Sequence, residues 1–334
     1  VLIDFSAMLA PLLKGRSSGK GLADIWDAKF KGCLASAISG GQWTQARRAS
    51  VPGWDIHDAR CRLCEAHVGT VAHRFECPTI MPAGGWPALP EKARPVLNRL
   101  SQRRKVILKE RAQLVLRLPG PVHQLEGSFW WLRHPGEIED SRATWYFDGS
   151  MLNGRWKPLR VTGFGIAVVS HTGSLLGYGY GAPPHWCMTA AAAEAWALQV
   201  VLASTPFPPN MRTDCLSLLR TAEGGLVSAS AAKRHLARVW IMIAGHLDGR
   251  IERLASEGLL VWMPAHMSLI SVGETKLSNG TRLTTVDWRA NRLVDALAKR
   301  GAAVHAPPAA CAKLAERAAP AVKHAAALLG AVTY

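Results

Sequence analysis

The chain has 334 residues, 49% of them apolar, and a formal net charge of +16. That length supports two or three compact units with real cores. The charge favours a polyanionic partner, most simply nucleic acid, while the lack of any membrane-length apolar run and of a lysine-rich amphipathic helix argues against a membrane role.

The first residues, Val1-Leu2-Ile3-Asp4, begin without Met and lack the basic region of a signal peptide, the pattern of a piece of a longer chain. Residues 1–55 read as a helical segment. A basic turn, Arg16 to Gly21, precedes a helix over about Leu22 to Ala37 with Ile25, Phe30 and Leu34 as its apolar stripe, and Ser39-Gly40-Gly41 stops it.

Residues 56–80 hold Cys61-Arg62-Leu63-Cys64, then His73 and Cys77. A C-x-x-C knuckle aims two sulfurs at one ion, and a histidine and a cysteine four apart share one helix face. Four soft N and S ligands suit tetrahedral zinc in a closed structural site. His57 and His67 are alternatives to His73. Seven cysteines used this way fit a reducing, intracellular setting rather than a disulfide framework, with the compartment left open.

Residues 81–141 read as a linker carrying a basic amphipathic helix over 96–118, where Arg99, Arg103, Arg104, Lys105, Lys109, Arg111 and Arg117 interleave with apolar residues. Such a face is either solvated or set against phosphates. Phe129-Trp130-Trp131 then leads into Thr144 to Ser150.

From about residue 142 the pattern becomes α/β. In the strand Thr144-Trp145-Tyr146-Phe147-Asp148, Trp145 and Phe147 share one face and Tyr146 and Asp148 the other. Val161 to Val169 and Leu175 to Tyr180 extend it into an antiparallel meander. A helix over Ala190 to Ser204 carries Glu194 as its only charge, with no ion-pair partner at helical spacing. Asp214 ends a short strand, His266 follows another, and Asp295 lies in the last clear helix of this region, over about Trp288 to Gly301, with Asp287 as its N-cap. Bland readings exist for each: a helix cap for Asp214, an exposed pair with Lys299 for Asp295, a surface loop for His266. Residues 304–334 read as a loosely attached Ala-rich helical tail.

Taken in order, Phe147-Asp148-Gly149-Ser150, Gly163-Phe164-Gly165, Ala193-Glu194-Ala195, Thr213-Asp214, Val261 to His266 and Asn291 to Ala298 resemble the type 1 ribonuclease H domain over roughly residues 142–303. The upstream region resembles the stretch between polymerase and ribonuclease H in non-LTR retrotransposon polyproteins, without a polymerase motif. The resemblance implies a ribonuclease H-like mixed five-stranded sheet flanked by helices. It also implies hydrolysis of RNA in RNA–DNA hybrids with two Mg²⁺ (or Mn²⁺) ions. In that scheme Asp148 bridges the ions, Glu194 and Asp214 complete one site, Asp295 the other, and His266 assists proton movement or product departure. Hard cations and phosphodiester hydrolysis want such oxygen ligands. Ala190 and Ala191 stand where members often carry an Asn that grips the hybrid, and the longer stretch between His266 and Asn291 makes Asp287 an alternative fourth ligand to Asp295. A binding module of the same fold without turnover, and a nuclease acting on DNA, are the rival readings.

Overall fold

A computed structural model describes residues 2–3, 8–9, 28–119, 127–136 and 142–333. The chain divides into two compact units, residues 1–119 with 308–334, and residues 120–307.

In the first unit a short antiparallel pair joins Leu2–Ile3 (β1) to Val115–Leu116 (β2). Its helices are Ala28–Ser39 (α1), Gln45–Ala49 (α2), Val71–Arg74 (α3), Arg94–Asn98 (α4), Gln102–Arg111 (α5) and the long Ala309–Thr333 (α12). Leu34 of the expected stripe is buried; Ile25, the side chain of Phe30 and the basic turn at 16–21 lie outside the described residues. The single basic helix expected over 96–118 is two helices and a strand. Ser101 is extended between α4 and α5, and Ala112 caps α5 in the left-handed region at φ 51°. α12 packs on α1 and α5 through a small-residue face that includes Cys311, Ala315, Ala318 and Val322. Such a face admits close helix–helix approach, so this helix is an integral part of its unit rather than a loose end.

The second unit is a mixed six-stranded sheet flanked by helices, compatible with a ribonuclease H-like fold. Its strands are Ser128–Arg133 (β3), Thr144–Leu152 (β4), Val161–Val169 (β5), Leu175–Ala182 (β6), Asn210–Thr213 (β7) and Leu260–Trp262 (β8), in the order β3-β6-β5-β4-β7-β8. β3 through β4 pair antiparallel, and β7 and β8 add parallel to β4. The sixth strand is the Trp-rich stretch, where Phe129 stacks on Phe164 with centroids 5.6 Å apart. The helices are Ala190–Ala203 (α6), Leu216–Glu223 (α7), Gly225–Ala229 (α8), Ala237–Gly245 (α9), Arg253–Ser256 (α10) and Thr285–Val304 (α11).

β5 is central, and all nine of its residues are buried. Strand alternation divides the core between two faces. Trp145, Phe147, Phe164 and Ile166 join Leu198 of α6 and Trp240 of α9 on one; Tyr146, Ala167 and Val169 join Val294 of α11 on the other. On the second face α11 lies directly on β5. A Cβ on Gly165 would sit 2.5 Å from the Val294 carbonyl oxygen, so only glycine permits that approach. α11 begins one turn earlier than expected. Its N-cap is Thr284, whose hydroxyl accepts from the Asp287 amide, while Asp287, at the third helical position, accepts from the Thr284 amide.

Gly165→Ala is expected to cost about 3 kcal/mol, the upper range for overpacking, and to lower the melting temperature by roughly 6–12 °C. Thermal denaturation followed by circular dichroism checks this; a shift under about 2 °C would contradict the packing of α11 on β5.

Candidate metal centres

Asp148 lies in the middle of β4, opposite Gly165 of β5. Its neighbour Gly149 determines what faces it. A Cβ there would lie 2.5 Å from both the Ala190 carbonyl oxygen and the Glu194 amide nitrogen. The first turn of α6, capped by Thr189 on the Ala192 amide, therefore rests on the β4 backbone and delivers Glu194 beside Asp148. Asp214 follows the last residue of β7, the strand parallel to β4. Carboxylate oxygens of Asp148, Glu194 and Asp214 all lie within 4.8 Å of one another.

The surroundings are dry. Asp148 is 7% and Glu194 6% exposed, and Asp214 is half-buried. Among the described residues none of the three is in a salt bridge with Lys or Arg. Neutral donors are sparse: the Gly149 amide to Asp148 Oδ1 at 2.7 Å, the Thr213 hydroxyl to Glu194 Oε2 at 2.9 Å, and the Asn291 amide to Asp214 Oδ2 at 3.5 Å. Burial, then the charge of Asp214, pushes Asp148 up to about 7. Burial and the other two carboxylates push Glu194 well above its ordinary range. Asp214 is raised as well, mainly by burial. Like charges forced together in low dielectric behave this way when positive groups offset them only weakly: Lys299 lowers Asp148 and His266 lowers Asp214, each by less than burial raises them. Three hard oxygen donors at this spacing are the chemistry a divalent cation requires.

Asp295 projects from α11 into a cleft that Asp214, His266 and Asn291 also line. Its charge raises both Asp148 and Asp214, and its Oδ2 pairs with Lys299 at 2.7 Å. His266 is exposed on the loop after β8, in the left-handed region at φ 52°, an uncommon conformation for a non-glycine residue. The loop is tied down by Trp288, whose indole donates to the Met267 carbonyl at 2.8 Å.

Asp287, the alternative ligand, is not at this cluster. Besides capping α11 it accepts from the Tyr146 hydroxyl at 2.7 Å and pairs with Arg212 Nε at 3.1 Å. Nothing local in the sequence marks this buried Tyr146–Asp287–Arg212 network, and Thr213, the donor to Glu194, shows there only as the neighbour of Asp214.

The first unit holds a second cluster. Cys61, Cys64, His73 and Cys77 bring their ligand atoms within 4.8 Å of one another, with Cys64 Sγ 3.2 Å from His73 Nε2. The Cys64 thiol is drawn down to about 6, first by the Ala66 amide and then by His73; Cys77 is raised by burial. Three sulfurs and one imidazole fit a closed zinc site. Thr70 caps the short helix that carries His73 by accepting from its amide. His57 instead pairs with Asp55, and the His67 ring lies 5.4 Å from that of His73 outside the four-ligand group.

No family model matches the chain, and no curated protein matches it. Among solved structures it is similar to prototype foamy virus protease–reverse transcriptase (native). The identity is 17% and the TM-score 0.31, over 57% of this chain and 23% of that one. This chain thus spans less than a quarter of that structure's length. Among the described residues, no helix is long and apolar enough to cross a membrane.

The carboxylate cluster makes the metal-free protein sensitive to pH. Folded Asp148 titrates near 7, against an ordinary 3.8. Between those values the folded state holds a proton that the unfolded state has lost, so stability falls as pH rises through that window. Chemical denaturation from pH 5 to 7.5 is expected to show this slope. Asp148→Asn should flatten it and raise stability at pH 7.5, and millimolar Mg²⁺ should flatten it for the native sequence. At the other cluster, the purified protein is expected to carry one zinc per chain by elemental analysis, and Cys77→Ser to lose it.

Proposed function

We propose that the chain is a metal-dependent nuclease of the ribonuclease H type, hydrolysing RNA within RNA–DNA hybrids. The observation that carries this reading is the convergence on the mixed sheet of Asp148, Glu194 and Asp214 within 4.8 Å, none of them in a salt bridge with Lys or Arg among the described residues. Structural carboxylates are ordinarily paired or solvated. Asp148 and Glu194 are buried without an ion pair, and with half-buried Asp214 they offer an external cation a set of ligands.

Asp148, Glu194 and Asp214 would hold the ions, with Asp295 joining from α11. When bound, such ions supply an activated water and stabilise the leaving oxygen in an in-line displacement. The chain's own residues do the rest. The Thr213 hydroxyl fixes the orientation of Glu194, and the Asn291 amide restrains Asp214. His266, exposed beside Asp214 and Asp295, accepts or returns a proton as product leaves. The cleft lined by Asp214, His266, Asn291 and Asp295 would receive the substrate backbone, and the cationic character of the chain supplies salt-sensitive affinity.

A second reading, a binding module of the same fold without turnover, is favoured by one contact: Lys299 already neutralises Asp295. One assay separates the two. With Mg²⁺, the full chain is expected to cut a labelled RNA–DNA hybrid, leaving duplex DNA intact. Asp148→Asn should lower the rate by roughly two to three orders of magnitude, the scale for removing a charge-stabilising group. Binding without cleavage in both proteins would establish the module instead, and activity that survives Asp148→Asn would reject the assignment of this site.

A further inference from the structure

The positive charge is concentrated in the unit that lacks the carboxylate cluster. The unit formed by residues 1–119 and 308–334 carries 22 Lys and Arg against 10 Asp and Glu, a net of +12 out of +16. The other unit carries 18 against 14, a net of +4. A polyanion is therefore drawn most strongly to the unit that lacks the acidic cluster.

That unit exposes an ordered aromatic column. Trp43 and Trp54 stack with ring centroids 5.0 Å apart and planes inclined by 27°. They remain 49% and 46% exposed, unusual for the largest apolar side chain. The Arg47 guanidinium lies over the Trp43 ring at 4.3 Å and is anchored by the Gly40 and Gln42 carbonyls, to which it donates. Arg47 and Trp54 thus both lie against the Trp43 ring, and about half of the Trp54 side chain stays open to solvent. Beside it runs a cleft of about 680 Å³, reaching the Cys/His cluster and lined by Trp43, Gln45, Arg48, Arg62 and Arg74. That volume is within the range of clefts that enclose whole ligands.

A preformed stack with a half-exposed indole, next to a cleft lined by three arginines, meets two separate demands of an unpaired nucleotide strand. The bases need a flat π surface, and the phosphates need cations close by. A base-paired duplex buries its base faces in its own stack, and an apolar peptide has no use for the arginines. We propose that Trp54, stacked on Trp43, is the open end of a base-stacking site for single-stranded nucleic acid, with Arg48 and Arg62 as its phosphate contacts. The site lies in a different unit from the carboxylates and does not depend on the ribonuclease reading.

The experiment titrates the full chain, without added Mg²⁺, against a fluorescein-labelled oligothymidylate of about 12 nucleotides, within the usual site sizes. Anisotropy and intrinsic tryptophan fluorescence are both recorded. Expected are quenched tryptophan emission on binding, about 10-fold weaker binding for Trp54→Ala, and near-native binding for Trp54→Phe. The proposal is overturned if Trp54→Ala binds as the native chain does, or if Trp54→Phe loses as much as Trp54→Ala. It is also overturned if an oligomer of abasic sugar phosphate of the same length competes as well as the oligothymidylate, because affinity would then be charge alone. Zinc content and the melting curve of each variant confirm that the unit is folded. Loss of hybrid cleavage with this binding intact would strike the ribonuclease reading and leave the stacking site standing.

Discussion

The constraint on which the sheet unit depends is the contact of two backbones at Gly149. There the first turn of α6 rests on β4 with no room for a side chain between them. This contact holds Glu194 against Asp148 despite the repulsion between their carboxylates, and the parallel pairing of β7 with β4 brings in Asp214. Such a cluster is unfavourable by itself, since each carboxylate loses water and gains a like-charged neighbour. The apolar layers on both faces of the sheet offset that cost. Local destabilisation held in place by a well-packed scaffold is the pattern expected of sites built for a ligand rather than for the fold.

A second buried ionic network stiffens the same region. Asp287 joins the start of α11 to Tyr146 of β4 and Arg212 of β7. These are the strands that carry, or lead directly into, Asp148 and Asp214. Because Asn291 and Asp295 lie one and two turns further along α11, the geometry of the cleft is set partly by this anchor. Asp287 is thus an acidic residue near the site whose work is structural. Asp295 stands where the cleft is open, and Asp287 sits where every oxygen is engaged.

Much of this was legible in the residues. Asp148 shared an aromatic strand with no Lys or Arg close by, and Glu194 was alone on an apolar helix; both patterns mark a charge with no local partner. The Cys/His spacing likewise brought its four ligands together. Other features depended on tertiary contacts that leave little local trace. The six-residue strand at Ser128–Arg133 reads as a bare aromatic cluster until β6 supplies its partner. The basic stretch over 96–118 has helical periodicity throughout, yet Ser101 breaks it and Val115–Leu116 is recruited by Leu2–Ile3. Asp287 looked like a cap and is one, but three positions inside the helix, with Thr284 at the boundary. The Ala-rich end lacked the large side chains that signal a core, and packs through small ones instead.

That last helix has a consequence for how the molecule is made. α12 follows the sheet unit in the chain and packs among helices from residues 28–111. On a ribosome the sheet unit can mature as soon as it emerges, whereas its companion must wait, missing a wall, until α12 has been synthesised. The cationic part is therefore the later of the two to be completed, although most of it is synthesised first.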